Sequence, residues 1–245
     1  MIVCAQAGNV NTGAFDPLAE IAEIAKERGA WLHVDSAFGL WAAISSRCSA
    51  QLRGAGAERT SLVRGIEKAD SIATDGHKWL NVPYDCGIVF CADPAAHRAA
   101  MSLAAAYIMA TGSERDPHEF VPEESRRARA VPVYAALRSL GREGFAELVE
   151  KSCRQARRFA EGLAAAGFEV LNDVVLNQVL VSFGTPEETK RTIAAIQEDG
   201  TCWCGGTVWK GRTAMRISVS NWSTTDEDVE RSIAAMVRCA KRNAA

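Results

Sequence analysis

Two charged residues lie where apolar strand patterns end. Asp35 closes the apolar run 31–35, and Lys78 follows the run 71–74. Ligands of open α/β sheets bind beyond the carboxyl ends of the strands, so both side chains are predicted at the same edge of one sheet. A lysine amine can form an imine and a carboxylate can lie opposite a pyridine nitrogen, a combination that suits pyridoxal-phosphate (PLP) chemistry. Taken alone, a strand-end aspartate is more often a helix cap, and a single lysine is usually a solvated surface charge.

The segments around these two residues carry a family resemblance. Segment 33–39 reads His-Val-Asp-Ser-Ala-Phe-Gly, and segment 75–80 reads Asp-Gly-His-Lys-Trp-Leu. Both closely resemble matching stretches of the group II PLP-dependent amino-acid decarboxylases, which include the aromatic-amino-acid, glutamate and cysteine-sulfinate decarboxylases. The upstream segment 7–16 and the spacing between the segments also fit. The resemblance covers nearly all of this chain, but it corresponds only to the C-terminal part of that family.

The resemblance implies a role for each residue of a cofactor site. Lys78 would form the Schiff base with pyridoxal 5'-phosphate, and Asp35 would pair with the protonated pyridine nitrogen so that the ring stays an electron sink. Ala37 would pack against one face of the ring, where a larger side chain would displace it. His77 would lie by the cofactor phosphate, with a purely structural histidine as the competing interpretation. Asn9 would approach the edge of the ring or the substrate.

Two further residues point to different reactions. Tyr107 is similar to the loop tyrosine that returns a proton to the substrate carbon in the decarboxylases, although it could be an ordinary aromatic residue on an alanine-rich helix. Arg216 lies in the strand pattern 214–219 and resembles the arginine that clamps the substrate carboxylate in aminotransferases of the same fold. A rigid clamp would work against decarboxylation, because the departing carboxylate must stand perpendicular to the ring. Tyr107 therefore favours decarboxylation, and Arg216 favours transamination.

The function implied by the resemblance is PLP-dependent decarboxylation of an L-amino acid, a carbon–carbon lyase reaction, through a Schiff base at Lys78. The alternatives are an aminotransferase of fold type I and a non-catalytic, truncated fragment that acts as a dimerisation partner. The N-terminal portion of the family is absent from this sequence. That portion would supply a phosphate-binding loop, an aromatic residue stacked on the ring and an arm around the dimer partner. Since this fold places its site at a subunit interface, a homodimer is expected.

The elements that must position these residues predict an α/β fold with a mostly parallel sheet. Apolar strand patterns alternate with helical patterns as far as residue 130, which is typical of a sheet covered on both faces. Residues 1–130 are interpreted as the C-terminal part of the truncated large domain of a type I PLP transferase. Residues 131–245 are predicted to form a long linking helix and a smaller C-terminal α+β domain. The strands are predicted at 2–5, 31–35, 71–74, 86–91, 169–171, 177–183 and 214–219.

Capping residues predict where several helices begin. A strand that begins at residue 2 would leave the sheet with exposed edges, so either the chain is a fragment or another chain covers that edge. A basic stretch, 126–129, is interpreted as solvated or as part of an interface. Three predicted helices begin at capping residues: Asp16, with Pro17 in the first helical position; Thr185, with Glu188 in a capping box; and Thr224 or Thr225. Another helix is predicted to begin at Pro94. Two further helices are predicted at 61–68 and at 131–166, the second interrupted near Gly141 and Gly144.

Charge and composition exclude several classes of protein. The net charge is only −2 and its charges are scattered, which argues against nucleic acid or an anionic membrane as a partner. No apolar run reaches the roughly 18 residues of a membrane span, and no signal-peptide pattern opens the chain, so a cytoplasmic location is expected. The eight cysteines are interpreted as small buried side chains in a reducing compartment. Cys202 and Cys204 lack a second pair or a nearby histidine, so no metal is expected.

Overall fold

The computed structural model describes residues 1–44, 62–103 and 115–244. The strands of its first sheet are β1 (Ile2–Gln6), β2 (Trp31–Asp35), β3 (Ser71–Asp75) and β4 (Gly87–Cys91). They lie in the order β1-β2-β3-β4, with β1, β2 and β3 parallel and β4 antiparallel to β3. The α/β class and the mostly parallel sheet that the sequence predicts are confirmed.

The reversal of β4 follows from the short connection before it. Only residues 76–86 separate β3 from β4, whereas a parallel crossover needs a dozen or more residues. Within that connection Trp79 and Leu80 are buried, which folds it into a compact turn. The apolar pattern of β4 predicts a strand but carries no information about its direction.

The first sheet buries one face more completely than the other. Leu32 and Val34 of β2 are buried, whereas Asp35 is exposed. Because side chains alternate along a strand, Asp35 points to the opposite face from Val34. The register pairs Asp35 with Gln6 on one side and with Ala73 on the other, so these three side chains form a row across the open face.

The described α-helices connect and cover the two sheets of the chain. Asp16 does not cap the first of them, so that prediction was wrong: its Oδ2 instead accepts a hydrogen bond from the Gln6 backbone N–H at 2.7 Å. The described part of 61–68 contains the short 3₁₀ helix Ile66–Lys68 rather than a full α-helix. The helices are α1 (Leu18–Glu27), α2 (Pro94–Met101), α3 (Ala130–Ala165), α4 (Pro186–Asp199) and α5 (Asp226–Ala244).

The long helix α3 joins two hydrophobic clusters. It breaks at Gly141 (φ 61°, ψ −175°), one of the two glycines predicted to interrupt it, because a residue without Cβ adopts this conformation at little cost. Beyond the break, Phe145 and Val149 pack with the first sheet, and Phe159 and Leu163 pack with the second. One helix thus contributes to both cores, and the division of the chain into domains at residue 130 stays a prediction.

The second sheet is antiparallel throughout. Its strands β5 (Glu169–Val170), β6 (Gln178–Ser182), β7 (Gly205–Trp209) and β8 (Arg212–Ser218) lie in the order β5-β6-β8-β7. The sequence did not predict β7. It joins β8 through Lys210 and Gly211, whose φ values of 49° and 77° make a two-residue hairpin turn. The glycine-rich start of β7 and a lysine at a left-handed position obscured this hairpin.

Two of the predicted helix starts are confirmed by their hydrogen bonds. Thr185 Oγ1 accepts from the Glu188 N–H at 3.2 Å, and Glu188 Oε2 accepts from the Thr185 N–H at 2.7 Å. Thr225, rather than Thr224, caps α5 and makes the equivalent bonds with Asp228. Among the helices of the described residues, none is both long enough and apolar enough to cross a membrane.

Candidate active site

Lys78 lies in the turn that follows β3. The buried side chains of Trp79 and Leu80 anchor this turn in the hydrophobic core. The Gly76 N–H donates to the Cys86 carbonyl at 2.9 Å, and a Cβ at position 76 would lie only 3.0 Å from the Cys86 sulfur. The glycine therefore permits the close approach that shapes the turn, and Lys78 is left with 31% of its side chain exposed.

The ammonium group of Lys78 contacts a carboxylate and an aromatic ring. Its Nζ lies 2.7 Å from Asp75 Oδ2 and 5.0 Å from the centroid of the Phe38 ring. Asp75 ends β3 and Phe38 follows the end of β2, so Lys78 lies at the edge where both strands end, as predicted for Lys78 and Asp35. Sequence reasoning missed Asp75. The available signal was its spacing of three residues from the lysine, which allows an ion pair across one turn.

Asp35 ends β2 on the open face of the first sheet. Its Oδ1 accepts a hydrogen bond from the Ala37 N–H at 3.2 Å. The following residue, Ser36, is buried and donates to the Ala73 carbonyl at 2.7 Å, while Thr74 Oγ1 donates to the Ser36 carbonyl at 3.0 Å. These cross-strand bonds fix the backbone that carries both Asp35 and Ala37. The carboxylate itself stays exposed.

The loop after β1 packs directly against the loop after β2. The Gly39 N–H donates to the Ala7 carbonyl at 3.2 Å, and a Cβ at position 39 would lie 2.4 Å from the Ala7 carbonyl carbon. Asn9 lies in the first loop, where its Nδ2 donates to Gln6 Oε1 at 2.7 Å and its Oδ1 accepts from the Asn11 N–H at 2.9 Å. The structure thus brings Asn9 to the same end of the sheet as Asp35, with its amide group bonded within its own loop.

His77 contacts the residues that precede β4. Its Nδ1 lies 3.0 Å from the Cys86 carbonyl oxygen and 3.1 Å from the Cys86 backbone nitrogen, and which of these bonds forms depends on the tautomer. The imidazole stacks against Tyr84 with 4.1 Å between ring centroids. These contacts give His77 a structural role. They leave Nε2 as the ring atom that could contact a phosphate.

Two arginines of the basic stretch hold the loop that carries Tyr84. Arg129 binds both carboxylate oxygens of Asp85 at 3.1 Å, and Arg127 donates to the Asp85 carbonyl at 2.7 Å. The Arg129 guanidinium lowers the pKa of the Asp85 carboxyl below its ordinary value. Arg127 is exposed, in line with the solvated role predicted for the basic stretch, and both arginines also bind Asp85, while a role in an interface stays a prediction. The two arginines fix the loop beside His77 through contacts with Asp85, a residue that is distant from them in sequence.

Arg216 extends from β8 towards the loop after β1. Its Nη1 donates to the Val10 carbonyl at 3.3 Å, and on the neighbouring strand Thr207 Oγ1 donates to Asn11 Oδ1 at 3.1 Å. The second sheet therefore meets the loop that holds Asn9. The last predicted site residue, Tyr107, lies outside the described residues.

A pocket of about 570 Å³ adjoins this edge on the side of β4. Its lining includes Asp75, the ion-pair partner of Lys78, together with Gly87 and Val89 of β4. Arg115 and Arg126 also line it. The pocket thus borders the acidic partner of Lys78 and places cationic side chains beside it.

An amine and a carboxylate at the ends of two adjacent parallel strands are groups that a PLP enzyme requires. The model of the pyridoxal-dependent decarboxylase conserved domain matches residues 1–185. The chain belongs to this family of PLP-dependent amino-acid decarboxylases, which are carboxy-lyases.

The curated relatives are longer than this chain. A histidine decarboxylase of Drosophila melanogaster is 30% identical over 231 residues, which cover 93% of this chain and 26% of the relative. An aromatic-L-amino-acid decarboxylase of Bacillus atrophaeus is 29% identical over 241 residues, which cover 93% of this chain and 48% of the relative. The chain thus spans half or less of the length of these relatives.

Solved structures share the fold. Oryza sativa TDC with PLP and tryptamine matches with a TM-score of 0.87 at 21% identity, over 99% of this chain and 51% of that chain. Catharanthus roseus tryptophan decarboxylase in complex with L-tryptophan matches with a TM-score of 0.83 at 23% identity, again over 99% and 51%. At these identities the likeness shows the fold alone.

The residues at the edge of the first sheet fit PLP in the chemistry that they offer. Lys78 supplies a primary amine, and Asp35 supplies an exposed carboxylate on the open face. The Nδ1 atom of His77 faces Cys86, so Nε2 is the ring atom that could accept a phosphate contact, and Ala37, whose N–H bonds to Asp35, adds only a methyl group. This set matches an aldehyde, a protonated ring nitrogen and a phosphate, which are the reactive and charged parts of the cofactor.

Proposed function

We propose that this chain carries the lysine–aspartate part of a PLP site that decarboxylates an L-amino acid. One observation supports the proposal above all. Lys78 Nζ, 2.7 Å from Asp75 Oδ2, lies at the end of β3, beside the parallel strand that ends in the exposed carboxylate of Asp35. Membership of the decarboxylase family makes this the reaction to expect.

Each residue has a distinct part in the proposed reaction. PLP, when bound, supplies an electron sink for the electron pair that departing carbon dioxide leaves behind. Lys78 would hold the cofactor through a Schiff base, and Asp35 would keep the ring nitrogen protonated through an ion pair. His77 would bind the phosphate through Nε2. Tyr107 returns a proton to the substrate carbon.

Two other residues of the edge act by position. Ala37 would help to hold the cofactor by packing against its ring, because the small side chain leaves room for it. Asn9 holds its loop through bonds to Gln6 and Asn11, so that the loop borders the ring or the substrate.

Arg216 supports transamination as a second candidate reaction. Its bond to the Val10 carbonyl brings a guanidinium group to the loop that holds Asn9, where it could bind a substrate carboxylate. A carboxylate fixed in this way would stay on the substrate while the amino group is transferred. Supplying a panel of amino acids and measuring carbon dioxide against keto acid separates the two reactions.

This chain spans only half or less of the length of its curated relatives, which supports a third candidate, a non-catalytic fragment that pairs with another chain.

We extend the main proposal to a cytoplasmic homodimer whose small-molecule partner is an amino acid, with no part for nucleic acid or membrane. The open face that carries Asp35 is consistent with a subunit interface. Sedimentation of the purified protein tests the assembly, and a monomer at all concentrations would contradict it.

The test of the site compares two lysine substitutions. Mixing the purified chain with PLP should give an imine absorbance near the visible edge, and reduction with borohydride should attach the cofactor to Lys78. Lys78→Ala should abolish both signals. Lys68→Ala is the matched control, because Lys68 is also ion-paired with a carboxylate, that of Glu23. Retention of the absorbance in Lys78→Ala, or its absence from the unsubstituted chain, contradicts the proposal.

A further inference from the structure

The segment between α4 and β7 carries two cysteines that the candidate active site does not use. Cys202 and Cys204 flank Trp203, whose side chain is 76% exposed. Cys204 is only 6% exposed and belongs to the second hydrophobic cluster, against which the partly buried Cys202 packs. The pair thus presents one accessible thiol next to one buried thiol.

Side-chain contacts hold these two thiols together. Cys202 and Cys204 contact each other, and Cys202 also contacts the side chain of Ser232 on α5. Gln197 Nε2 on α4 donates to the Cys204 carbonyl at 2.8 Å. The pair therefore has contacts with both helices that pack beside it, and its two side chains are neighbours.

The contact makes the two thiols unequal. Hydrogen bonding with Cys204 lowers the pKa of Cys202 to about 7, against the opposing effects of burial and of the Asp199 carboxylate. The same contact and burial raise the pKa of Cys204. Because the thiolate is the nucleophilic form of cysteine, Cys202 is the thiol that reacts first.

We propose that Cys202 and Cys204 form a reversible oxidation site for hydrogen peroxide, separate from the PLP site. The Cys202 thiolate attacks one peroxide oxygen, the O–O bond breaks, and the departing oxygen takes up a proton and leaves as water. Cys202 is then a sulfenic acid. The Cys204 sulfur attacks the Cys202 sulfur, the S–O bond breaks, and hydroxide leaves with the Cys204 proton as water. Two electrons have passed from the thiols to the peroxide, and a disulfide has formed.

The spacing of the pair makes the disulfide readily reducible. With a single residue between the cysteines, the bond closes a small ring, which strains it, and Cys202 remains accessible. Strained and exposed disulfides are those that thiol reductants open most easily. A dithiol therefore returns both side chains to the reduced state, as a reversible site in a reducing compartment requires.

The sequence allows the product to be identified in one peptide. Trypsin cleaves after Arg191 and Lys210, and residues 192–210 contain Cys202 and Cys204 but no other cysteine. After brief treatment of the whole chain with hydrogen peroxide and alkylation of the remaining thiols, this peptide should escape alkylation and weigh two hydrogens less than its reduced form. Dithiothreitol should reverse the change.

Three substitutions separate the roles of the thiols. Cys204→Ser should stop the reaction at a sulfenic acid that dimedone labels at Cys202, and Cys202→Ser should remove peroxide reactivity from the peptide. Cys4→Ser, which removes an exposed cysteine far from the pair in sequence, should leave the disulfide unchanged. A peptide 192–210 that remains fully alkylated, or a disulfide from Cys202 to the nearby buried Cys239, overturns the proposal. The result on the unsubstituted chain decides the matter even if a variant fails to fold.

Discussion

At the scale of single residues, the two charged groups of the candidate site have different partners. Lys78 already has a carboxylate partner, Asp75, at 2.7 Å. Asp35 instead bonds to a backbone amide, that of Ala37, and stays exposed. Within residues 1–44, 62–103 and 115–244, this exposed carboxylate bonds to that neutral group alone, so it is suited to receive a cation. This difference supports Asp35, rather than Asp75, as the partner of a protonated pyridine nitrogen.

The first prediction concerns that carboxylate. Asp35→Asn should weaken PLP binding by at least about tenfold, because a neutral amide cannot replace a charge-assisted hydrogen bond worth about 1.5–3 kcal/mol. The substitution keeps an oxygen that can accept from the Ala37 N–H, so the fold should be unaffected. Fluorescence titration with PLP measures the change. Asp173→Asn, at an exposed carboxylate, should bind as tightly as the unsubstituted chain, and equal affinity in both variants would refute the role of Asp35.

At the scale of elements, local side-chain bonds determine where helices begin, and backbone contacts determine how loops meet. Thr225 begins α5 by accepting from the Asp228 N–H at 3.1 Å, while its own N–H donates to the Asp228 carboxylate at 2.9 Å. Gly39 shows the second case, since its backbone lies against the Ala7 carbonyl with no space for a Cβ. The cap fixes the start of α5, which packs in the second hydrophobic cluster, and the contact of Gly39 fixes the loop that follows Asp35.

Two adjacent threonines allow a direct test of the helix cap. Thr225→Ala should lower the free energy of unfolding by about 1 kcal/mol, because an N–H at the start of α5 loses its side-chain acceptor. Thr224→Ala, which makes the same chemical change one residue earlier, should change it by less than about 0.5 kcal/mol. Urea denaturation of the two variants measures both values. If Thr224→Ala lowered the free energy of unfolding more than Thr225→Ala, Thr225 would not be the capping residue.

At the scale of the whole molecule, the two sheets are connected by α3 and by a polar bridge. Asn81, in the turn after Lys78, donates to the Ser220 carbonyl at 2.9 Å and accepts from the Trp222 N–H at 3.2 Å. Its backbone is left-handed, with φ 57°. The turn that carries the candidate catalytic lysine is thus tied to the chain segment that follows β8, so that the second half of the chain helps to hold Lys78 in position.

Replacing the bridge should loosen this connection. Asn81→Gly keeps a residue that tolerates the left-handed backbone but removes both bonds of the bridge, together with the local bond to the Trp79 carbonyl. The free energy of unfolding should fall by about 2 kcal/mol. Lys210→Gly is the matched control, because Lys210 also has a positive φ, 49°, in the β7–β8 turn. It should cause no loss. Hydrogen exchange of the Trp222 amide should become faster in the first variant only, and unchanged exchange would contradict the bridge.

Much of the local structure could be predicted from the sequence because its causes are local. The apolar runs at 31–35 and 71–74 are strands, the capping box at Thr185 begins a helix, and Gly141 interrupts α3. Two errors came from the same kind of reasoning. Asp16 looks like a cap but bonds to the Gln6 backbone at the end of β1, and β7 begins with two glycines and is followed by a lysine at a left-handed position. For Asp16 a contact with the end of β1 outweighed the local preference for a cap, whereas in β7 the glycines obscure the strand pattern of a local hairpin.

The sequence by itself determined the family, the α/β class and the presence of a lysine and an aspartate at the ends of strands. These follow from residue order, which sets side-chain alternation along strands and capping at helix starts. Only the tertiary structure decided the pairing of Lys78 with Asp75, the clamp of Arg127 and Arg129 on Asp85, and the contact between Cys202 and Cys204. Such contacts depend on which elements pack together, and packing is set by the burial of whole faces rather than by the residues that meet there.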